Sequence, residues 1–320
     1  GGGPSRAVRA AGFDVGQWES ALVRVHPSGK VNVYSGSSPH GQGEGTAFAQ
    51  IAADELGISI DDVEIVYGDT SNTPFGLGTY ENRTTATGGA AITRAARKVM
   101  QKAKKIAAAL LEASEDDLVY KQGRFYVKGV PERGVSFAEV AAAAYTADKL
   151  PPGVEPGLED TGFYDPENFT FTYGTHACVA EIDKETGAVK ILKYLAVVDA
   201  GTIVNPTLAE GQVHGGVAEG ISTALYQGLA FDSNGTPLAQ GFNDYVVPRA
   251  EETPWIEAQF VQTPAPQNPL GIKGIGTQTP AAAPCVVNAV IDALSQVGVD
   301  HIDMPLLPSK VASVLRDKGL

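Results

Sequence analysis

The stretch Asp199-Ala-Gly-Thr-Ile-Val-Asn-Pro206 connects a predicted strand to a predicted helix. Residues 189–198, which precede it, are rich in β-branched and other apolar residues and indicate a strand. Asn205 and Pro206 have the residue types that are favoured at the N-cap and at the first position of a helix. A strand that leads into a helix through a polar glycine loop is typical of an α/β fold.

The same arrangement recurs along the chain. Alternation of apolar and polar residues predicts hairpins at residues 17–35, 117–128 and 171–198, and single strands near 62–67 and 255–262. Helical spacing predicts a helix that stops at Gly57, and others near 89–113, 136–147, after 206, at 281–296 and from 309. The sequence therefore predicts an α/β (α+β) fold.

Residues 149–168 carry several prolines and glycines and show no periodicity, which indicates a boundary or a surface crossing. We expect a first α/β half at residues 1–150, a linker or surface crossing at 151–168, and a second α/β half at 169–320. The chain has no initiator Met and begins with three glycines, which suggests a processed chain, a split subunit or a fragment.

Composition excludes several classes of partner. The formal net charge of −13 argues against nucleic acid and against an anionic membrane surface. No apolar run is long enough for a membrane span, and no signal-peptide pattern is present. The two cysteines have no CxxC spacing, so no Cys-ligated iron–sulfur centre is expected within this chain, and a reducing, cytoplasmic location is predicted.

Four polar loops precede predicted helices, and helix starts expose backbone amides that favour anionic ligands. The other three loops contain Gly41-Gln42-Gly43, residues 76–89 and residues 271–280. The loop at Gly41-Gln42-Gly43 also suits a plain turn in which glycine adopts positive φ, and the sequence alone leaves that open. The five histidines show no metal-ligand spacing, and His214 is interpreted as a hydrogen-bonded helix residue rather than a ligand.

These loops resemble those of the xanthine dehydrogenase family, the molybdenum hydroxylases, and within it the carbon monoxide dehydrogenase-like large subunits. The resemblance runs in family order along nearly the whole chain and corresponds to the carboxy-terminal part of that subunit. The similar segments are Gly41-Gln-Gly43, Tyr67-Gly-Asp-Thr70, Gly76-Leu-Gly-Thr-Tyr80, Arg83-Thr84, Gly89-Ala-Ala91, Val198-Asp-Ala-Gly-Thr202, Asn205-Pro206, Glu210-Gly-Gln-Val-His-Gly-Gly216, Asn268-Pro269, Gly271-Ile-Lys-Gly-Ile-Gly276 and Val287-Asn-Ala289.

The resemblance implies the family's second molybdopterin-binding domain, with mixed sheets flanked by helices in two subdomains. It implies a molybdenum-dependent oxidoreductase that hydroxylates an aldehyde, an N-heterocycle or a similar small substrate with water as the oxygen source. The implied cofactor is molybdopterin cytosine dinucleotide, whose pterin dithiolene holds the molybdenum without direct protein ligands. Partners would be the amino-terminal half of the molybdenum subunit, from the same gene or a separate chain, an iron–sulfur subunit with 2Fe–2S clusters and an FAD subunit, in a dimer of heteromers.

The resemblance also transfers site residues position by position. Gln42 is similar to the glutamine that approaches the oxo ligand or the pterin. The cofactor-binding positions are Gln42, Gly43, Thr79, Tyr80, Arg83, Thr84, Asp199, Thr202, Asn205, Gln212, Lys273, Gly274, Ile275 and Gly276.

Thr277 departs from the family pattern Gly-x-Lys-Gly-x-Gly-Glu, because it stands where the family has its glutamate base. Loss of a positioned general base typically costs about 10²–10⁴-fold in rate. Gln278 could orient water, and Glu44 and Glu81 lie in loops where a substitute carboxylate could sit. A second hypothesis is therefore a catalytically silent scaffold or assembly subunit of the same fold. A third, an unrelated acidic binding module, would require the loop similarities to be accidental.

Overall fold

A computed structural model describes residues 18–276 and 278–319 of the 320-residue chain. These residues form two compact units. Unit A contains residues 18–170 together with Ala265–Ile272, and unit B contains Phe171–Pro264 together with residues 273–276 and 278–319. Both units combine helices with mixed sheets, which confirms the predicted fold class.

Unit A is built around a four-stranded sheet in the order β3-β2-β1-β7. Strand β1 is antiparallel to β2 and to β7, while β2 and β3 are parallel. A second, antiparallel sheet has the order β4-β5-β6. The elements are β1 (Glu19–Val25), β2 (Val31–Ser35), α1 (Glu44–Leu56), β3 (Val63–Val66), α2 (Thr84–Leu110), β4 (Leu118–Lys121), β5 (Arg124–Val127), β6 (Val130–Ser136), α3 (Phe137–Ala144) and β7 (Glu159–Tyr164).

The alternation that predicted the first hairpin also sets its register. Ala21, Val23 and Val25 of β1 are fully buried, and Val23 lies opposite Val33 of β2. Helix α1 ends at Gly57, whose φ of 64° is the left-handed conformation that glycine adopts easily at a helix end. Because β2 and β3 are parallel, the chain needs a crossover between them, and α1 provides it.

Unit B has a three-stranded sheet in the order β10-β9-β8. Strands β8 and β9 are antiparallel, and β9 and β10 are parallel with a helix between them. The elements are β8 (Tyr173–Ile182), β9 (Val189–Asp199), α4 (Pro206–Leu225), β10 (Ile256–Val261), α5 (Thr279–Ser295) and α6 (Pro308–Asp317).

Helices α4 and α5 pack closely because α4 has glycines on the side that faces α5. A Cβ atom built on Gly220 would lie 2.4 Å from the Cβ of Ala282, which is closer than real Cβ atoms come. The buried residues around this contact include Val213, Val217 and Val286, and with β9 they form the core of unit B.

The two units share one order of elements. In each, an antiparallel hairpin leads through a glycine loop into a helix, then into a strand parallel to the second hairpin strand, and then into another helix. In unit A these are β1, β2, α1, β3 and α2. In unit B they are β8, β9, α4, β10 and α5. Because two parallel strands end at the same edge of a sheet, the two polar loops of each unit start side by side, where ligands of α/β sheets usually bind.

Three elements differ from the sequence predictions. Helix α2 begins at Thr84 rather than near residue 89, because the glycine pair Gly88-Gly89 is buried within the helix instead of starting it. Strand β6 adds a third strand to the predicted hairpin at 117–128. Strand β7 lies in the segment 149–168, for which no strand was predicted. Its residue that faces α2 is Gly162, so the alternation of apolar residues is missing there. A Cβ atom on Gly162 would lie 2.3 Å from the carbonyl oxygen of Ala91. No described helix is long and apolar enough to cross a membrane.

Candidate cofactor site

A buried ion pair joins the two polar loops of unit A. The Arg83 Nη1 atom lies 3.0 Å from Glu19 Oε2, and both side chains are fully buried. Ser37 Oγ donates to the same carboxylate oxygen at 3.1 Å, and the Ser20 amide donates to Glu19 Oε1 at 3.0 Å. Each carboxylate oxygen of Glu19 therefore has a donor, so this pair holds the loops rather than offering a free acceptor.

Glu44 is the second buried carboxyl of unit A, and it is only half satisfied. Glu44 is the first residue of helix α1 and is 2% exposed. Its Oε2 atom accepts from Gln42 Nε2 at 2.9 Å and from Thr79 Oγ1 at 3.4 Å. Its Oε1 atom has no hydrogen-bond partner among the described residues. Burial raises the pKa of Glu44 to about 7, with the Thr79 hydrogen bond opposing the rise and the charge of Glu19 adding to it.

Unit B has a comparable pair in Asp199 and Lys273. Lys273 Nζ lies 3.1 Å from Asp199 Oδ1, which also accepts from the amides of Gly201 at 2.8 Å and Thr263 at 3.3 Å. The Lys273 ammonium also lies 4.8 Å from the ring centroid of Tyr173. Burial alone would raise the pKa of Asp199, but these hydrogen bonds outweigh it and hold the pKa well below its usual range.

The other oxygen of Asp199 is a free acceptor. Oδ2 has no hydrogen-bond partner among the described residues, although Asp199 is 1% exposed. The Lys273 amide donates to the Ala200 carbonyl at 2.9 Å, so the loop after β10 is fixed against the loop after β9. Thr172 Oγ1 donates to the Gly274 carbonyl and holds the next residue of this loop.

The remaining predicted residues lie at or near the starts of helices. Gly43 is the N-cap of α1 with a φ of 82°, and Thr84 is the first residue of α2. Asn205 caps α4, as predicted, and its side chain accepts from the Leu208 amide at 3.0 Å. Three further predicted residues are partly exposed. Tyr80 lies in the loop before α2, Thr202 lies in the loop before α4, and Gln212 lies on α4. Thr277 lies outside the described residues.

The structure brings Gln42 and Thr79 to Glu44, which the sequence named as a possible substitute carboxylate, and Arg83 to Glu19, which it did not single out. Glu19 is the clearer omission. It occupies a core-facing position of β1, in phase with the buried residues at 21, 23 and 25, and that phase was visible in the sequence. His176, half-buried in unit B and hydrogen-bonded to Gln278, gave no such signal.

Each unit has one buried acceptor that fits an N–H or O–H group of a ligand. Glu44 Oε1 and Asp199 Oδ2 are buried acceptors without partners, and such atoms cost free energy unless a ligand or water satisfies them. A planar pterin and a nucleotide base both supply donors of this kind. Among the described residues, no group of three His, Cys, Asp or Glu side chains is arranged to hold a metal ion directly.

Comparison with known families identifies the family of this chain. Residues 3–254 match the molybdopterin cofactor-binding domain. The chain belongs to this family. The match to the molybdopterin cofactor-binding domain covers the unit A loops and the loop that contains Asp199, and it ends before the loop that contains Lys273.

Three similar proteins place this domain in context. The carbon monoxide dehydrogenase large chain of Hydrogenophaga pseudoflava is 42% identical over 321 residues, which cover 100% of this chain and 40% of that protein. The structure of reconstituted CO dehydrogenase from Oligotropha carboxidovorans superposes with a TM-score of 0.90 at 43% identity, over 94% of this chain and 37% of that one. Quinoline 2-oxidoreductase from Pseudomonas putida 86 gives a TM-score of 0.90 at 38% identity, over 98% and 40%. The chain thus spans about two fifths of these relatives' length.

Proposed function

We propose that this chain is the part of a molybdenum-dependent oxidoreductase that binds molybdopterin cytosine dinucleotide. Its substrate would be an aldehyde, an N-heterocycle or a similar small molecule, which is hydroxylated with water as the oxygen source. The observation that carries the proposal is one buried carboxylate oxygen in each unit that has no hydrogen-bond partner among the described residues: Glu44 Oε1 at the first residue of α1, and Asp199 Oδ2 at the last residue of β9. The resemblance to a quinoline oxidoreductase favours heterocycles among the substrate classes.

Within unit A, we assign Gln42, Gly43, Thr79, Tyr80, Arg83 and Thr84 to the cofactor. The Gln42 amide donates to Glu44 and so fixes the direction of its own carbonyl group. The Arg83 guanidinium pairs with Glu19, and its Nη1 atom also donates to the Gly78 carbonyl oxygen at 2.5 Å. The guanidinium carbon lies 5.3 Å from the ring centroid of Tyr80. Arg83 therefore acts by holding this loop, and Thr79 and Tyr80 present its polar surface.

Within unit B, we assign Asp199, Thr202, Asn205, Gln212 and the residues 273–276 to the cofactor. The carboxylate of Asp199 suits N–H donors. Hydrogen bonds from Thr263, Gly201, Tyr173 and Lys273 together outweigh burial and hold its pKa well below its usual range, so it is ionised near pH 7. The amides at the start of α4 favour a pyrophosphate or another anionic group. When bound, the cofactor supplies the redox chemistry, and these residues bind it, orient it and exclude water.

The proton acceptor must differ from that of the family pattern, because Thr277 stands where the pattern has its glutamate. Of the carboxyls considered for this role, Glu81 is exposed and Glu44 is buried with a pKa of about 7. A group with a pKa near the working pH is suited to take up and release a proton. We therefore rank Glu44 above Glu81 as the residue that takes up and releases a proton.

We also propose partner polypeptides, because the relatives are about 2.5 times as long as this chain. We expect the amino-terminal half of the molybdenum subunit, an iron–sulfur subunit with 2Fe–2S clusters and an FAD subunit, assembled as a cytoplasmic dimer of heteromers. The segment between α4 and β10 supports a protein partner, because it exposes large apolar side chains, which is typical of a contact surface. They are Leu229, Phe231, Leu238, Phe242, Val246, Val247 and Trp255, with Phe242 88% exposed.

A catalytically silent scaffold or assembly subunit of the same fold is the second candidate, and Thr277 favours it. The two candidates differ in the response to a Thr277→Glu variant of the whole complex. If native turnover is absent and the variant gains activity, the scaffold is correct. If the native complex turns over an aldehyde or heterocycle, the scaffold is rejected.

The cofactor assignment is tested by metal and nucleotide analysis of the natively assembled complex. We expect molybdenum and cytosine nucleotide in nearly equal amounts, close to one of each per copy of this chain. A complete complex without either would contradict the proposed function.

A further inference from the structure

A chain of three hydrogen-bonded side chains in unit B ends on the loop that carries Lys273. Tyr194 of β9 lies 2.8 Å from His176 Nδ1 of β8, measured from the phenolic oxygen. The other ring nitrogen of His176 lies 3.3 Å from Gln278 Oε1. The Gln278 amide nitrogen then donates to the Ile275 carbonyl at 2.8 Å. Two strands of the sheet are thereby connected to the backbone of the loop.

The direction of each hydrogen bond follows from the one before it. Because the Gln278 nitrogen donates to Ile275, its oxygen faces His176 and accepts. The Nε2 atom of His176 therefore carries the proton, and Nδ1 accepts from the Tyr194 hydroxyl. Burial lowers the pKa of His176 and raises the pKa of Tyr194, so both are neutral near pH 7. Only one tautomer of His176 satisfies this chain.

The packing leaves Gln278 little freedom. Its side chain is buried, and Gly216 of α4 faces it with no side chain of its own. A Cβ atom on Gly216 would lie 2.7 Å from the Cβ of Gln278. Gln278 stands at the N-cap position of α5 but makes no capping hydrogen bond through its side chain. That side chain turns back to the loop instead, so local helix capping does not explain it.

We propose that Gln278, held by His176 and Tyr194, is a positioning residue that fixes the backbone of the loop Lys273–Gly276 for contact with the molybdopterin cofactor. The inference rests on the proposed function of this loop. Both ends of the Gln278 amide are engaged, with His176 and with Ile275. This arrangement assigns the amide to holding the loop rather than to orienting a water molecule.

The test uses variants of the complete complex that remove one hydrogen bond at a time. Gln278→Met keeps the length of the side chain and removes the amide. Tyr194→Phe removes only the hydroxyl, and His176→Phe removes both ring nitrogens. His176→Gln is the conservative variant, because it can again accept from Tyr194 and donate to Gln278. Tyr226→Phe and His301→Gln in unit B are matched controls: Tyr226 is the C-cap residue of α4, and His301 is exposed and hydrogen-bonded to Asp303.

Two measurements report on position rather than on general stability. Backbone hydrogen exchange of residues 272–280, with α6 as an internal reference, reports loop order and needs no cofactor. The kcat and the electron paramagnetic resonance spectrum of the partly reduced molybdenum report the environment of the cofactor. We expect His176→Phe and Gln278→Met to speed loop exchange about tenfold and to lower kcat about 10–100-fold, as for other residues that orient cofactor ligands. We expect Tyr194→Phe to do less, and His176→Gln to restore most of both values.

The outcomes separate this inference from the proposed function. A wild-type complex without molybdenum and cytosine nucleotide contradicts the proposed function, while loop exchange still decides whether Gln278 orders the loop. If loop exchange and the molybdenum spectrum in Gln278→Met and His176→Phe match the wild type, the positioning role is wrong. It is equally wrong if α6 and the loop exchange faster to the same extent, since the effect would then be general destabilisation.

Discussion

Units A and B use the same order of strands and helices, but they satisfy their buried charges differently. In unit A, Glu19 and Arg83 are fully buried and every carboxylate oxygen of Glu19 has a donor. In unit B, one buried oxygen of Asp199 has no partner among the described residues, although Lys273 pairs with the other. In unit A, the carboxylate with such an oxygen is Glu44. A saturated ion pair indicates a structural role, and an unsaturated buried acceptor indicates a ligand.

The first prediction breaks the saturated pair. Arg83→Met leaves Glu19 buried without its counter-charge, which costs roughly 3–5 kcal/mol of stability. We expect a poor yield of complex and rapid proteolysis of unit A. Adding Glu19→Gln to Arg83→Met should recover at least half of the loss, because the buried charge is gone.

The matched variant in unit B is Lys273→Met. Compared with Arg83→Met, we expect it to lose more cofactor and less stability. Cofactor content is measured as molybdenum per chain, and stability as the midpoint of thermal unfolding. Equal loss of stability in Arg83→Met and Lys273→Met would remove the distinction between the two pairs.

The second prediction concerns the free acceptor of unit A. The pKa of Glu44 is raised to about 7, so its stabilising contribution is complete below the unfolded-state pKa of about 4.3 and is lost as the pH rises through 7. Glu44→Gln cannot ionise, and we expect it to gain about 3 kcal/mol relative to the wild type between pH 4 and pH 8 in cofactor-free protein.

Unfolding midpoints at both pH values check the Glu44 prediction. Glu81→Gln is its control, because Glu81 is exposed in the neighbouring loop. A constant difference between Glu44→Gln and the wild type across this range would show that Glu44 does not titrate near 7. In the loaded complex the gain should shrink, because a donor on Oε1 favours the ionised carboxylate.

The third prediction compares neighbouring glycines of α4. A Cβ on Gly216 would meet Gln278, so Gly216→Ala should cost about 1–3 kcal/mol. A Cβ on Gly215 meets no atom within 4 Å, so Gly215→Ala should stabilise the helix by up to about 1 kcal/mol. Thermal unfolding of both variants checks the difference. Loss of molybdenum from Gly215→Ala alone would show that the cofactor fills this open side of α4.

Much of the fold was predictable because it depends on local patterns. The first hairpin, the stop of α1 at Gly57 and the capping of α4 by Asn205 follow from alternation, glycine and N-cap chemistry within a few residues. Strand β7 was not predictable, because its pairing with β1 joins residues about 140 positions apart. Its sequence does not alternate, because the position that faces α2 is Gly162, where a side chain would clash with the helix.

The candidate site also has features that the sequence could predict and features that it could not. The glycine loops, Asp199 and Lys273 could be identified from the sequence, since residue types and spacing carry the family pattern. The number of donors that reach each carboxylate could not, because it depends on which loops lie side by side. Arg83 shows the limit, since its sequence position suggests cofactor contact and its packing commits its charge to Glu19.

The sequence by itself determined the fold class, the family and the order of the loops, because these are encoded by short-range pattern and residue type. Only the tertiary structure decided which buried carboxylates have a donor on both oxygens and which keep an oxygen without a partner among the described residues. It also decided that Gln278 is held from two strands by His176 and Tyr194. The physical reason is that burial and hydrogen bonding are set by contacts between distant segments, and these contacts exist only once the chain has folded.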